Sequence, residues 1–182
     1  LSDRAYYDAI DRYQGTRDAV YDLTWNALHK RVPFGCDLKI MPIDQSALSY
    51  WVALKRYGTL HAQGGFPWDR IFRQVWTSPK RFDVAIWDGQ HLSGMACGMP
   101  SRGDSYVTIK WLEGFASYDG GLKGMVAETA LTAAEHYAFL LGKKFVCIKQ
   151  PLAGTEPLYR ALGFEQDTSK KRNQYYIREV NL

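Results

Sequence analysis

The sequence predicts a single α/β domain: a mixed, partly parallel sheet with flanking helices, preceded by an N-terminal helical extension. Three observations carry this. Residues 82–113 hold three extended runs, the first two joined at Asp88-Gly89, a strong hairpin signal. A long apolar-striped helix over about 122–141 is followed directly by a buried-type strand, "KKFVCIKQ". A strand-helix-strand unit of that kind makes part of a sheet parallel.

The elements follow in order. Residues 2–31 read as helix: Ser2 is a suitable N-cap, and Tyr6, Ala9, Ile10, Tyr13, Val20, Leu23, Ala27 and Leu28 recur at helical spacing, with a break expected at Gly15-Thr16 before Pro33 ends the run. A short strand, "CDLKIMPI", comes next, then a helix capped by Asp44 or Ser46 and running to about Tyr57. The loop "HAQGGFP" leads to a helix over about Trp68–Trp76. In the third extended run, strict alternation puts Val107, Ile109, Trp111 and Glu113 on one face and Tyr106, Thr108, Lys110 and Leu112 on the other. Leu122, Met125, Val126, Thr129, Ala133, Tyr137 and Leu140 form the buried stripe of the long helix, which stops at Gly142. The chain closes with a short helix, "TEPLYRALGFE", and a last strand, "NQYYIREV". Gly163 suits a left-handed residue past that helix, and Phe164 can fold back onto its last turn. The expected division is an extension, 1–34, and a domain, 35–182.

Composition narrows the class. Apolar residues make up 46% and charged residues 23% of the 182, a globular balance with no uninterrupted apolar run of membrane-spanning length. No basic-then-apolar segment opens the sequence, and Cys36, Cys97 and Cys147 are far apart without metal-ligand spacing. The expectation is a reduced, cytoplasmic protein with no metal and no membrane partner. The net charge of +4 is too mild for a dedicated nucleic-acid binder. The run Lys170-Lys171-Arg172 reads first as the solvated tip of a hairpin.

The turn Gly120-Gly121-Leu122-Lys123-Gly124 opening the long helix has two readings. It is a tight strand-to-helix turn, or it presents unpaired backbone N–H groups and the positive end of the helix dipole to a phosphate, with Lys123 adding a cation. Tyr159 likewise either packs under its short helix or donates a proton, since a phenol with a pKa near 10 stays protonated at neutral pH.

Taken with the hairpin and third strand, "DGGLKGMVAETAL" and above all "LYRALGF" resemble the GCN5-related N-acetyltransferase (GNAT) family over roughly residues 36–180. The resemblance implies an acyl-CoA N-acyltransferase-like fold. It implies transfer of an acetyl group from acetyl-CoA, as co-substrate, to a primary amine by direct attack. It gives Tyr159 the role of proton donor to the departing sulfur, and Glu113 that of a base acting through water. A carboxylate beside apolar neighbours loses solvation, which should lift its pKa into a useful range. Gly114 would permit a bulge that splays this strand from its parallel neighbour. The N–H near Phe115 would then polarise the thioester carbonyl. Gly120, Gly121, Lys123, Gly124 and Met125 would hold the pyrophosphate. On one alignment Gly121 stands where the family has Gln or Arg and Val126 where it has Gly or Ala, with Gly124 retained, and an alignment shifted by a few residues uses Gly120 and Gly121 instead. Leu152 lies near the place of an Asn often found before the Tyr-helix.

The resemblance places the acceptor among the first helices, their loop and the last hairpin, where Tyr57, Phe66, Trp68 and Tyr175 could wall a pocket or serve as core. The acceptor expected first is a small-molecule or peptide amine, with a tRNA-linked amine after it. The rival reading is a catalytically degenerate CoA-binding or protein-interaction module of the same fold, in which residues 1–34 bind a partner or a second copy.

Overall fold

Helix α1 (Asp3–Leu28) runs unbroken through Gly15 in the computed structural model, which describes residues 3–57, 65–115, 117–169 and 174–182. Ser2, His61 and the Lys170-Lys171-Arg172 run lie outside the described residues. The break expected at Gly15 is absent. A helical glycine costs only about 1 kcal/mol relative to alanine, and the burial of Arg17, Val20, Tyr21, Thr24 and Leu28 along α1 outweighs it. A 3-10 turn, His29–Arg31, follows.

The remaining elements are β1 (Leu38–Met41), α2 (Gln45–Arg56), α3 (Trp68–Trp76), β2 (Phe82–Asp88), β3 (His91–Pro100), β4 (Tyr106–Gly114), α4 (Val126–Leu140), β5 (Phe145–Lys149), α5 (Glu156–Ala161), β6 (Glu165–Gln166) and β7 (Tyr175–Glu179). Asp44 caps α2, its side chain accepting from Ala47 N at 2.9 Å. Gly89, with φ of 60°, makes the predicted turn between β2 and β3. The α4 helix begins at Val126 rather than Leu122, because Gly124 (φ 86°) is left-handed and cannot sit inside a helix. The two-residue strand β6 carries no sequence pattern and went unpredicted.

The strands form one sheet in the order β1-β2-β3-β4-β5-β7-β6. Only β4 and β5 run parallel, joined by the crossover through α4. The sheet separates two apolar clusters. On one face α1, α4 and α5 cover Phe82, Val84, Ile86, Val107, Ile109, Val146 and Ile148. On the other, α2 and α3 bury Trp51, Trp68, Ile71 and Val75 against Ala85, Met95 and Cys97.

Strand β4 breaks its predicted alternation. Cys97 pairs with Trp111 while Gly98 pairs with Ile109, so Lys110 is an extra, bulged residue. A bulge shifts the period by one and moves every later side chain to the opposite face. Val107 and Ile109 therefore point toward α4 with Leu112, whereas Trp111 packs on the α2–α3 side. The four residues do not share a face. The bulge lies four positions before Gly114.

Helix α1 is tied to the sheet by buried charge. Asp83, fully buried on β2, lies 3.0 Å from Arg81 Nε and 3.8 Å from Arg17 Nε, and accepts from Ile43 N at 2.9 Å. The Arg17 guanidinium also donates to Pro79 O and to Gln14 Oε1, each at 2.7 Å. Tyr21 donates its hydroxyl to Asp83 O at 3.0 Å.

Between α1 and α4, His136 Nδ1 lies 3.0 Å from Thr24 Oγ1, whose proton goes to Val20 O. Burial pulls the imidazole pKa below its usual 6.5. Below that pH the unfolded chain takes up a proton that the folded chain resists, so this site makes stability fall on acidification. The urea midpoint should therefore drop between about pH 7.5 and 5.5, and His136→Gln should flatten that part of the slope. An equal slope in the variant would assign the acid sensitivity elsewhere.

Candidate functional site

The parallel pairing of β4 with β5 is short. It joins Tyr106–Ile109 to Phe145–Ile148, and beyond it Trp111–Gly114 continue the pairing with β3. The bulge at Lys110 turns β4 away at that point, which opens one edge of the strand. Phe115 N donates to Ser93 O at 2.9 Å, so this amide faces β3 and not the open edge. Strand alternation then directs the Leu112 and Gly114 N–H groups toward the opening. The Phe115 side chain is buried on the α2–α3 face.

The segment entering α4 lies beside this opening in the chain. Tyr118 organises it: its hydroxyl donates to Asp88 Oδ2 at 2.6 Å and accepts from Leu122 N at 2.9 Å. Burial and then the Asp88 bond push the Tyr118 phenol up to about 12, and the same hydrogen bond, its largest influence, holds Asp88 below the usual carboxylate range. The Leu122 N–H is thus already engaged. Lys123 pairs with Asp119 at 2.7 Å in an exposed contact. Met125 takes the N-cap position with no side-chain cap, leaving the first turn of α4 (Val126, Ala127, Glu128) uncapped by any side chain. Arg31, from the 3-10 turn after α1, reaches this turn and pairs with Glu128 at 2.6 Å, its own side chain remaining 61% exposed.

Tyr159 sits on α5 with 7% exposure, edge-on to Phe164 with ring centroids 6.3 Å apart. Gly163 is left-handed (φ 79°), and Phe164 N donates back to Tyr159 O at 2.9 Å, so the Gly-Phe end closes the helix as predicted. Burial raises the Tyr159 pKa above its usual 10.0, against a smaller opposing effect of the Thr155 hydroxyl.

Glu113 lies across the sheet from Tyr159, at 6% exposure. Its Oε2 accepts from Trp68 Nε1 at 2.6 Å and from Phe66 N at 3.1 Å. Phe66 and Trp68 meet edge-to-face at 6.0 Å. Of the four aromatic residues expected around an acceptor, these two are brought together with Glu113. Trp68 is fully buried, Tyr57 is 78% exposed, and Tyr175 stands on β7 opposite Lys149, two strands away from β4. Among the described residues no His, Cys, Asp and Glu cluster is placed to hold a metal, and no helix is long and apolar enough to cross a membrane.

No protein-family model and no curated protein matches this sequence. Solved structures do. An acetyltransferase of the GNAT family from Staphylococcus aureus superposes with a TM-score of 0.56 at 10% identity, covering 80% of this chain and 100% of its own. The aminoglycoside 6′-N-acetyltransferase of Enterococcus faecium gives 0.55 at 12% identity, covering 79% and 97%. An aminoglycoside 6′-N-acetyltransferase complexed with coenzyme A gives 0.57 at 11% identity, again covering 79% and 97%. The chain has the GNAT fold. The strand order, the single parallel pair and the short Tyr-bearing helix are the parts of that fold described above.

Gly121 is confined by its neighbours. A Cβ at this position would collide with Cys36 Sγ, because the segment after α1 packs where a longer side chain would otherwise lie. Cys36, Asp88, Tyr118 and Arg31 were not singled out from sequence as site residues. Cys36, Asp88 and Arg31 meet this segment from sequence separations of about thirty to ninety residues, and no local pattern marks such a meeting, whereas Tyr118 is only four residues from its partner Leu122. Gly121→Ala should destabilise the protein by about 1–3 kcal/mol, the usual cost of overpacking. Cys36→Ala in the same chain should recover most of that loss, since it removes the colliding sulfur. A denaturation cycle on the four proteins measures it, and additive effects would sink the explanation.

Proposed function

We propose that this protein is an N-acetyltransferase that moves an acetyl group from acetyl-CoA to a primary amine by direct attack. The observation that carries the reading is the β4 edge beyond the parallel pairing lying next to the N-terminus of α4, whose N-cap residue Met125 makes no side-chain hydrogen bond. A thioester arm laid along that edge can hydrogen-bond the strand as a further strand would, with the Leu112 N–H available to polarise the thioester carbonyl. The donor pyrophosphate then meets the Gly120–Met125 turn and the first-turn amides of α4, where backbone N–H groups and the helix dipole favour negative charge. Lys123 and Arg31 supply cations there. Arg31 stands in for the side chain that Gly121 lacks.

In the reaction the amine nitrogen forms a bond to the acetyl carbon, and the tetrahedral oxyanion is held by the strand amide. The C–S bond then breaks. The thiolate takes the Tyr159 proton, the amine proton leaves to solvent, and the tyrosinate regains a proton from solvent to complete the cycle. Burial keeps Tyr159 protonated throughout the neutral range, while making it a weaker acid than a free phenol.

The acceptor is a small-molecule amine in this reading, supported by structural neighbours that carry aminoglycoside acetyltransferase names. Residues 35–182 form the acyltransferase unit. The neighbours cover about four fifths of the chain. Helix α1 is packed against that unit rather than held out for a partner.

A second reading rests on one observation: the Leu122 amide and Lys123, both candidates for phosphate contact, already have partners. A relative of this fold that binds CoA without turnover would look the same. Calorimetric titration with acetyl-CoA and with desulfo-CoA, followed by thiol release in the presence of a primary-amine panel, separates the two. Micromolar binding with thiol release supports transfer. Binding without release supports the degenerate module, and no binding to either ligand overturns both.

A further inference from the structure

We propose that Glu113 is a positioning residue, a latch holding the acceptor-side entry of α3 against β4, rather than the base that activates the amine. This deepens the acetyltransferase reading and rests on it for the word acceptor alone. A general base needs a lone pair directed at the substrate. Glu113 Oε2 is instead occupied by two donors from one segment, the Trp68 indole and the Phe66 amide, and Oε1 is buried away from solvent, so neither oxygen is presented to an arriving amine.

The surroundings explain why such a latch is needed. Pro67 occupies the N-cap position of α3 and gives no side-chain hydrogen bond, so α3 has no cap of its own. The carboxylate from β4 fixes its entry instead, aided by the Trp68 N to Phe66 O bond at 2.9 Å. The bulge at Lys110 is what sends Glu113 to this side of the sheet. The strand that offers its open edge to the donor therefore also grips the wall of the opposite approach.

The two roles separate in Glu113→Gln, which keeps a carbonyl acceptor for both bonds but cannot serve as a base. Two measurements test it. Hydrogen exchange over residues 65–72 should be unchanged in Glu113→Gln and at least about tenfold faster in Glu113→Ala, with Trp68→Phe between them. Thiol release from acetyl-CoA, with methylamine at high concentration as the probe amine, should keep its pH profile and its rate within about threefold in Glu113→Gln. A hundredfold loss in Glu113→Gln with disappearance of the acidic limb would make Glu113 the base and overturn the proposal. Equal exchange in Glu113→Ala and the wild type would overturn it as well. If the wild type shows no turnover, the acetyltransferase reading fails there, while the exchange measurement still decides the latch.

Discussion

Replacing Tyr159 by Phe should lower acetyl transfer by about ten- to a thousandfold while leaving acetyl-CoA affinity intact, the pattern for loss of a proton donor that acts only as the bond breaks. The hydroxyl is the single change, and the ring that packs edge-on to Phe164 remains, so folding should survive. The pH dependence has a definite sign. Burial moves the phenol above 10.0, so it is protonated at every pH where the protein is ordinarily assayed. The wild type should show no loss of rate from this group through the neutral range, and the defect of the variant should be constant across it. An unchanged rate would reduce Tyr159 to a packing residue. A lost affinity would mean that the ring, not the hydroxyl, matters. Thiol release and calorimetry on the same preparations distinguish these outcomes.

Asp83→Ala should be the most destabilising single change in the charge network that ties α1 to the sheet. It removes the carboxylate that lies between Arg17 and Arg81, leaving two buried guanidinium groups facing each other without it, and it frees Ile43 N from its acceptor. Breaking a buried charge network by deleting one member costs about 3–5 kcal/mol. At about 2–4 °C per kcal/mol for a domain of this size, the melting temperature should fall by roughly 6–20 °C. Asp83→Asn keeps a carbonyl for Ile43 N and should lose less. A urea midpoint within about 1 kcal/mol of the wild type in Asp83→Ala would show that the arginine contacts to Pro79, Arg81 and Gln14 hold α1 by themselves. The network also bears on the first 34 residues. With α1 fastened through a fully buried carboxylate, deletion of residues 1–34 should lower the stability of the remaining unit, residues 35–182.

Much of the fold was legible because its signals are local. Helical spacing marked α1 and α4, a cap at Asp44 or Ser46 marked α2, the loop before Trp68 marked α3, Asp88-Gly89 marked its hairpin, and Gly163-Phe164 marked the end of α5. Each depends on residues within a turn or two of one another, so the chain carries the information in one dimension. The β4–α4–β5 order likewise fixed a parallel pair, since a crossover of that length leaves no other direction for the second strand. Tyr159 and the glycine turn were found the same way, by motif.

What the sequence could not show depends on contacts across the sheet. The bulge at Lys110 leaves no mark in the alternating pattern, yet one extra residue reversed the faces of Trp111 and Glu113 and directed the Phe115 amide to Ser93. Glu113 was recognised as a functional candidate, but its partners Phe66 and Trp68 lie about forty-five residues away. Nothing along the chain shows that Cys36 fills the space beside Gly121. The sequence by itself determined the elements, their order and the residue types available for acyl transfer. Tertiary structure decided which way those residues face and what already binds them, because hydrogen bonds and steric contacts form between atoms brought close by folding, whatever their separation along the chain.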